Sequence, residues 1–339
     1  GIIFGRNASL DVRGSFVAST ASSLKFADGT EFSAKAPQSK PLLTVSVPLG
    51  LQFGTDSGKI LVQGPGNSLS QDPQINASGA VIGFTFNRST RPVGLQVPPD
   101  KTLALVGGDV MLEGGNLTAT EGRIELGSIA GTHFVSLNPI DKGWALGYQG
   151  VQSFGNIQLS QAASLDVSGT GGGDIQLRGR RITLTDGSVI AASTLGAKPG
   201  GTLTVAAEDA VELTGTDSNY QISSGLFTEA LSSGSAGNIT IYTDKLIVRD
   251  GAQVISTSIS SGAAGKLNVS ALNSVELVGT GNVAINAVGS LEVPSLLASV
   301  TTGTGRGGDV TITTNKLNAI SGAQIQAVTF GTGDAGNLL

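Results

Sequence analysis

The chain has 339 residues, a net charge of −5 and a charged fraction of only 13%, with one histidine and no cysteine. That balance offers no field to a phosphate backbone, which excludes nucleic-acid binding. One imidazole without thiols excludes zinc sites built on several such ligands, and no apolar stretch approaches the roughly 20 residues of a transmembrane helix. The 50 glycines and 11 prolines fall short of the roughly 25–30% expected of a disordered, low-complexity chain. Aromatic residues make up 4%, so Ala, Val, Ile, Leu, Thr and Ser must fill the interior, which suits a narrow core. The absence of cysteine fits export of an unfolded chain through an oxidising compartment, where a disulfide would form a loop too bulky for a narrow pore.

The first 130 residues are rich in strand patterns but weakly periodic. Gly1-Ile2-Ile3-Phe4-Gly5 lacks the charged and long apolar regions of a signal peptide. We expect either a cytosolic protein or one whose N-terminus has been cut away. Thr44-Val45-Ser46-Val47-Pro48 and Leu51-Gln52-Phe53 read as two strands bounded by prolines, and Val81-Ile82-Gly83-Phe84-Thr85-Phe86 as an exposed hairpin strand. A coil pattern sets in at Gly108-Asp109-Val110-Met111-Leu112 and Gly122-Arg123-Ile124-Glu125-Leu126. Residues 131–155 hold the only tryptophan, Trp144, and the only histidine, His133, with Tyr148 and Phe154. They read as a connection between two segments of one rod.

From residue 173 one phrase returns. Gly173-Asp174-Ile175-Gln176-Leu177 comes back as Gly201-Thr202-Leu203-Thr204-Val205, then from Gly237, Gly265 and Gly308, and a last copy starts at Gly336. The glycine spacings are 28, 36, 28, 43 and 28 residues, so a cassette of fixed length alternates with a longer, variable one. Repeats of about 20–50 residues signal a stack of supersecondary units. Period-2 alternation divides the cassette into three short strands, Ile175-Gln176-Leu177, Ile182-Thr183-Leu184 and Val189-Ile190-Ala191, each with one face buried. Gly187, Gly251 and Gly322 share one cassette position, a corner expected to need positive φ. The long cassettes carry inserts over 216–235 and 280–304, expected to bulge as loops on one side. No sustained helical periodicity occurs, so helix content should be low. The pattern predicts an all-β solenoid, a parallel β-helix of about a dozen coils, with a rod on the order of 60 Å long.

No chemistry-bearing constellation emerges. Asp174 and Asp309 share a repeat position that Asn238 and Lys266 occupy elsewhere, as at an exposed corner. Asp186 and Asp250, with Ser321 in the third copy, fit turn residues that bond their own turn. A glycosidase pair of stacked carboxylates is the sharper alternative. Gly169-Thr170-Gly171-Gly172-Gly173-Asp174 carries a single acid, too few for a calcium repeat. Gly303-Thr304-Gly305-Arg306-Gly307-Gly308 spells a dinucleotide fingerprint, but a strand pattern follows it where a helix is needed. Gly262-Ala263-Ala264-Gly265-Lys266 is followed by Leu267, without the Ser or Thr of a phosphate loop. His133 has no nucleophile elbow beside it. Asn-x-Ser/Thr matches at Asn7, Asn76, Asn87, Asn116, Asn238 and Asn268 are expected by chance in this composition. We therefore assign no catalytic, cofactor-binding or metal-binding residue.

Several stretches resemble the filamentous-haemagglutinin-like exoproteins of two-partner secretion, of the cyanobacterial type. Gly1-Ile2-Ile3-Phe4-Gly5 looks like the tail of that family's Asn-Pro-Asn-Gly-Ile motif. The segments Ala8-Ser9-Leu10-Asp11-Val12-Arg13-Gly14-Ser15-Phe16-Val17-Ala18-Ser19-Thr20 and Leu24-Lys25-Phe26-Ala27-Asp28-Gly29-Thr30-Glu31-Phe32-Ser33-Ala34 are close to its pattern. Gly122-Arg123-Ile124-Glu125-Leu126-Gly127-Ser128 and Gly147-Tyr148-Gln149-Gly150-Val151-Gln152 match as well. The resemblance implies a right-handed parallel β-helix with a few extra-helical hairpins. It also implies Sec-dependent export and passage through a dedicated outer-membrane β-barrel transporter, whose periplasmic domains recognise the secretion domain. Gly1 and Ile2 would be the remnant of the transporter-recognition motif. No Asn-Pro-Asn precedes Gly1 and the chain stops inside a repeat, so a fragment with open strand edges is expected.

The reading is a secretion domain's C-terminal part over 1–130 and a β-helix repeat region over 131–339. The expected function is a secreted, adhesin-type exoprotein, extracellular or at the cell surface, that makes non-catalytic contact with a receptor, glycan or matrix and uses no cofactor. The alternatives are a carbohydrate-active β-helix enzyme (polysaccharide lyase or hydrolase) and a purely structural surface-layer protein. Three or more carboxylates, Lys or Arg converging in a groove along one face would favour the enzyme.

Overall fold

A computed structural model describes residues 1–34, 46–75, 78–79, 81–219, 221–285 and 289–339. The described residues form strands and turns, with no helix. Alternation is the local cause. In Asp174–Leu184 the side chains of Ile175, Leu177, Ile182 and Leu184 are buried, while Gln176, Arg178 and Thr183 between them stay partly accessible. After each cassette the chain returns to the same column. Ile175 pairs with Leu203, Leu203 with Ile239, Ile239 with Leu267 and Leu267 with Val310, all in parallel register. Each fully buried aliphatic side chain contributes about 1.5–3 kcal/mol, and the columns merge into one continuous core from Ala18 to Val310.

Two long parallel sheets enclose that core. The first runs from Ile2–Phe4 through Ile60–Gln63, Val110–Glu113, Asn156–Ser160, Asp174–Leu184, Thr202–Thr214, Asn238–Arg249 and Leu267–Val278 to Val310–Ile320. Phe16–Ser19, Thr102–Gly107 and Arg123–Ser128 join beside it and feed into the first half of Asp174–Leu184. The second sheet stacks Leu95–Gln96, Asn116–Thr118, Ser164–Asp166, Val189–Thr194, Gly225–Ala230, Gln253–Ser258, Leu296–Thr301 and Gln324–Thr329.

The cassette differs from the expected three strands. Its first two are one bent strand, with a register shift between Gly179 and Arg181 that recurs between Ala206 and Ala210, Thr243 and Lys245, and Ala271 and Ser274. Polar residues such as Asp209 and Asp244 mimic a turn there, yet a bulge bends a strand without ending its pairing. The first sheet's main path also holds nine strands, not a dozen. Eight spacings of about 4.8 Å make a stack near 40 Å, because much of the chain goes into side hairpins.

The two kinds of repeat glycine have different causes. Gly187, Gly251 and Gly322 lie at φ +70°, +83° and +89°, as expected, and the residues before them, Asp186, Asp250 and Ser321, are left-handed as well. The phrase-opening glycines are not at positive φ. A Cβ on Gly201, Gly237, Gly265, Gly308 or Gly336 would lie 1.9–2.5 Å from the carbonyl oxygen of the glycine one level back. They are glycine because the stacked corners touch backbone to backbone.

Several side elements differ from expectation. Thr44 and Val45 of the first expected strand lie outside the described residues, and from Ser46 on one strand is seen, Pro48–Gln52. Residues 131–155 do not bridge two segments. They form the hairpin Phe134–Ile140/Gly143–Gly147, which pairs with Pro48–Gln52 and covers the first sheet's flank, while Val110–Glu113 pairs directly with Asn156–Ser160 beneath. The hairpin expected at Val81 exists, Ser70–Ile75 with Val81–Asn87, but it is only partly exposed, with Gln71 and Phe86 buried while Asp72 and Ile75 face solvent. Phe86 packs edge-on to Phe227 of the second sheet, ring centroids 4.7 Å apart. The inserts are shorter than expected, since Gly225–Ala230 and Leu296–Thr301 belong to the second sheet. What remains is a loop closed by a Thr216–Ser223 bridge, with Asp217 accepting from the Ile222 N–H at 2.9 Å, and a second hairpin, Thr280–Ile285/Gly289–Pro294.

Candidate functional site

The turn Asp and Asn side chains of the repeats serve the stack. Asp174 Oδ1 accepts the Thr202 N–H at 2.9 Å, Asn238 Oδ1 the Lys266 N–H at 2.8 Å and Asp309 Oδ1 the Asn337 N–H at 3.0 Å. Each reaches forward over one 28-residue cassette and satisfies a backbone donor at the start of the next strand. The Asn337 N–H and the Lys266 ammonium hold the Asp309 carboxyl below its ordinary range. Asp186 differs from expectation, because its carboxylate accepts the Gln161 N–H of the neighbouring level at 3.2 Å besides the adjacent Thr185 hydroxyl. His133 enters through its carbonyl, which takes the Phe53 N–H at 2.8 Å.

The densest charged cluster was not anticipated. Arg88 and Arg91 follow the early hairpin and reach onto the outer face of the second sheet, where Asp166 and Glu229 stand. Arg88 Nη2 lies 2.9 Å from Glu229 Oε2, and Asp166 Oδ2 lies 3.6 Å from Arg88 Nε and 3.7 Å from Arg91 Nε. Glu229 also accepts the Ser193 hydroxyl and, at 3.1 Å, the Phe86 N–H. Arg91 donates to the hydroxyls of Ser164 and Thr118 and to the Leu117 carbonyl. Burial opposes ionisation of Asp166, but Arg91 and Arg88 outweigh it and hold its carboxyl below the ordinary value. The Arg88 guanidinium, against the same burial, is raised by Glu229 and Asp166. Two acids and two guanidiniums thus converge on one face, as the enzyme alternative required. They are covered by the hairpin and matched to one another rather than lining an open groove. The missed signal was Glu229 itself, an acid in a strand column otherwise occupied by Ser193, Thr257 and Val300.

A second buried acid lies under the hairpin Phe134–Ile140/Gly143–Gly147. Glu125 Oε1 meets Arg123 Nε at 2.5 Å and the Leu146 N–H at 3.3 Å, while Oε2 and the nearby Tyr148 hydroxyl have no partner. Burial pushes the Glu125 carboxyl up to about 7, against the pull of Arg123.

Gly1 and Ile2 sit at one edge of the first sheet. Ile2–Phe4 pairs with Ile60–Val62, and the Ile2 N–H donates to the Lys59 carbonyl at 2.9 Å. A Cβ on Gly1 would stand 2.7 Å from that same oxygen, so only glycine fits there. Among the described residues no three His, Cys, Asp or Glu side chains are placed to hold a metal ion, and no helix is long and apolar enough to cross a membrane.

These features define an all-β stack with covering hairpins, closed charged clusters and long exposed flanks. A family model described as the TPS secretion domain matches residues 1–177, more than half of the chain, and the chain belongs to that family, the two-partner secretion exoproteins of the filamentous haemagglutinin type. Membership implies a partner transporter in the outer membrane and export across that membrane. No curated protein and no solved structure matches the chain.

Proposed function

We propose that the two long sheets are walls of a right-handed parallel β-helix, and that this chain is a secreted exoprotein acting by non-catalytic, adhesin-type contact outside the cell. The secretion-domain match over residues 1–177 carries the reading, and the in-register return of Ile175 to Leu203, Ile239, Leu267 and Val310 supports it. We keep a division between secretion domain and repeats at residue 130, with the family match running across it to residue 177. Gly1 and Ile2 are taken as part of the motif read by the transporter's periplasmic domains.

The physical step is vectorial folding. A level leaving the pore finds the preceding level's open strand edge and pairs with it, gaining backbone hydrogen bonds and buried aliphatic surface. Each level added outside opposes backward sliding, so no nucleotide hydrolysis is required there. The closed, mutually neutralised cluster of Arg88, Arg91, Asp166 and Glu229 supports a contact role over a hydrolytic or lyase one. The test is secretion from cells with and without the partner transporter. We expect the protein in the medium only when the partner is present, and equal release in its absence would remove the reading.

A further inference from the structure

The early hairpin and the hairpin Thr280–Ile285/Gly289–Pro294 lie side by side over the second sheet, touching through Ser70–Ile75 and Thr280–Ile285. Between them and the sheet is a cavity of about 200 Å³. Its walls are mainly apolar, with Phe86 and Phe227 crossing edge to face and Ile255, Leu296 and Val300 beside them, and Gln253, Glu292, Gln324 and Gln326 stand along its border. Sites for drug-sized ligands run to roughly 300–1,000 Å³, so this one has room for about a single ring.

Among its polar lining residues, Gln71 and the acids bear most on selectivity. Gln71 stands opposite Phe86 across the hairpin and lines the cavity. It is 7% exposed, and its Oε1 is buried without a hydrogen-bond partner. A buried amide oxygen without a partner is destabilising unless something meets it. The first acid is Glu229, which also lines the cavity and whose oxygens are committed to Arg88, Ser193 and the Phe86 N–H. Glu292 lines the cavity as well, with no cationic partner among the described residues, and its carboxylate disfavours an anionic guest.

We propose that this cavity binds a neutral phenol, the ring among Phe86, Phe227 and Ile255 and the hydroxyl on the Gln71 amide. A hydroxyl both donates and accepts, so it satisfies that amide whichever way its O and N are turned. Aromatic walls favour an aromatic guest through edge-to-face contact. The chemistry is shared by a free phenolic molecule and by a tyrosine side chain displayed on another protein.

The test uses the full chain and titrates p-cresol, toluene, 4-methylbenzoate and N-acetyltyrosinamide by saturation-transfer NMR and calorimetry. Saturable binding of p-cresol is expected, with toluene about tenfold weaker for want of the hydroxyl's hydrogen bond, 4-methylbenzoate weaker still, and contacts from the p-cresol ring to Phe227. Gln71→Leu should bring p-cresol down to the level of toluene. If that variant does not fold, the p-cresol to toluene ratio on the unaltered chain decides by itself. N-acetyltyrosinamide binding as well as p-cresol assigns a displayed tyrosine, and p-cresol alone assigns a free phenol. Equal affinity for toluene and p-cresol, or no saturable binding of p-cresol, overturns the proposal.

Discussion

At Gly265 a methyl group would sit 1.9 Å from the carbonyl oxygen of Gly237, and no rotamer relieves a backbone clash. Gly265→Ala should therefore lower stability by about 1–3 kcal/mol or more, as overpacking does. Gly5→Ala, with nothing within 4 Å of the new methyl, should stay within about 0.5 kcal/mol. Urea unfolding of the two variants reads the difference. Glu125 supplies a pH signature of opposite cause. Its carboxyl is raised by burial to about 7 from an ordinary 4.5, so the folded state holds a proton that the unfolded state has lost. Stability should fall as pH rises from about 4.5 to 7, by at most about 1.4 kcal/mol per pH unit from this group. Glu125→Gln, which cannot ionise, should flatten that decline in thermal melts across the interval, and an unchanged slope would count against the buried-acid assignment.

The early hairpin is fastened to the second sheet by charge as well as by Phe86. Arg88→Ala leaves Glu229 and Asp166 buried with less compensation, and breaking such a cluster costs on the order of 3 kcal/mol. We expect the loss to be local, with faster hydrogen exchange over Val81–Asn87 and little change in the columns around Leu203 and Ile239. The acid limb follows from Asp166, whose carboxyl is held below 3.8. Its contribution is present above that pH and disappears as pH falls through the depressed value, so the wild-type hairpin should loosen only in strong acid. How legible these elements were depends on whether their signal is local. Ile175, Leu177, Ile182 and Leu184 announce a half-buried strand by alternation, and the 28-residue return places their partners. Val81–Phe86 announces a strand too, but nothing local says which face it covers. Arg88 and Glu229 are 141 residues apart, in segments of different pattern, so no window joins them. Glu125 sits in the column of Ala104, Gln176 and Thr204, which looks solvated until the hairpin through Trp144 closes over it.

Across the whole molecule the columns behave as repeated, interchangeable levels. Removing residues 238–265 joins Gly237 to Lys266 and deletes one complete cassette, leaving Leu203 to face Leu267 and Gly225–Ala230 to face Leu296–Thr301. We expect such a chain to keep a cooperative melt and a strand-rich circular dichroism spectrum with modest loss of stability, because energy in stacked repeats is mostly nearest-neighbour. Removing half a cassette should abolish the melt, since it carries residues of one sheet into the place of the other. The length of the stack was overestimated from sequence for the complementary reason. Composition counts residues, and the segments spent on hairpins around Phe86, Trp144 and Leu291 add width without adding a level.

The hairpin carrying Phe86 and Arg88 is anchored to strands that come much later in the chain. For a polypeptide emerging N-terminus first, Arg88 can find Asp166 and Ser193 earlier, but the Phe86 ring meets water until Phe227 and Glu229 have arrived. Under the proposed vectorial folding, the roof would record progress: it can seat fully only once the strand carrying Phe227 and Glu229 is in place, and a chain stopped before that point would keep a greasy flap in view.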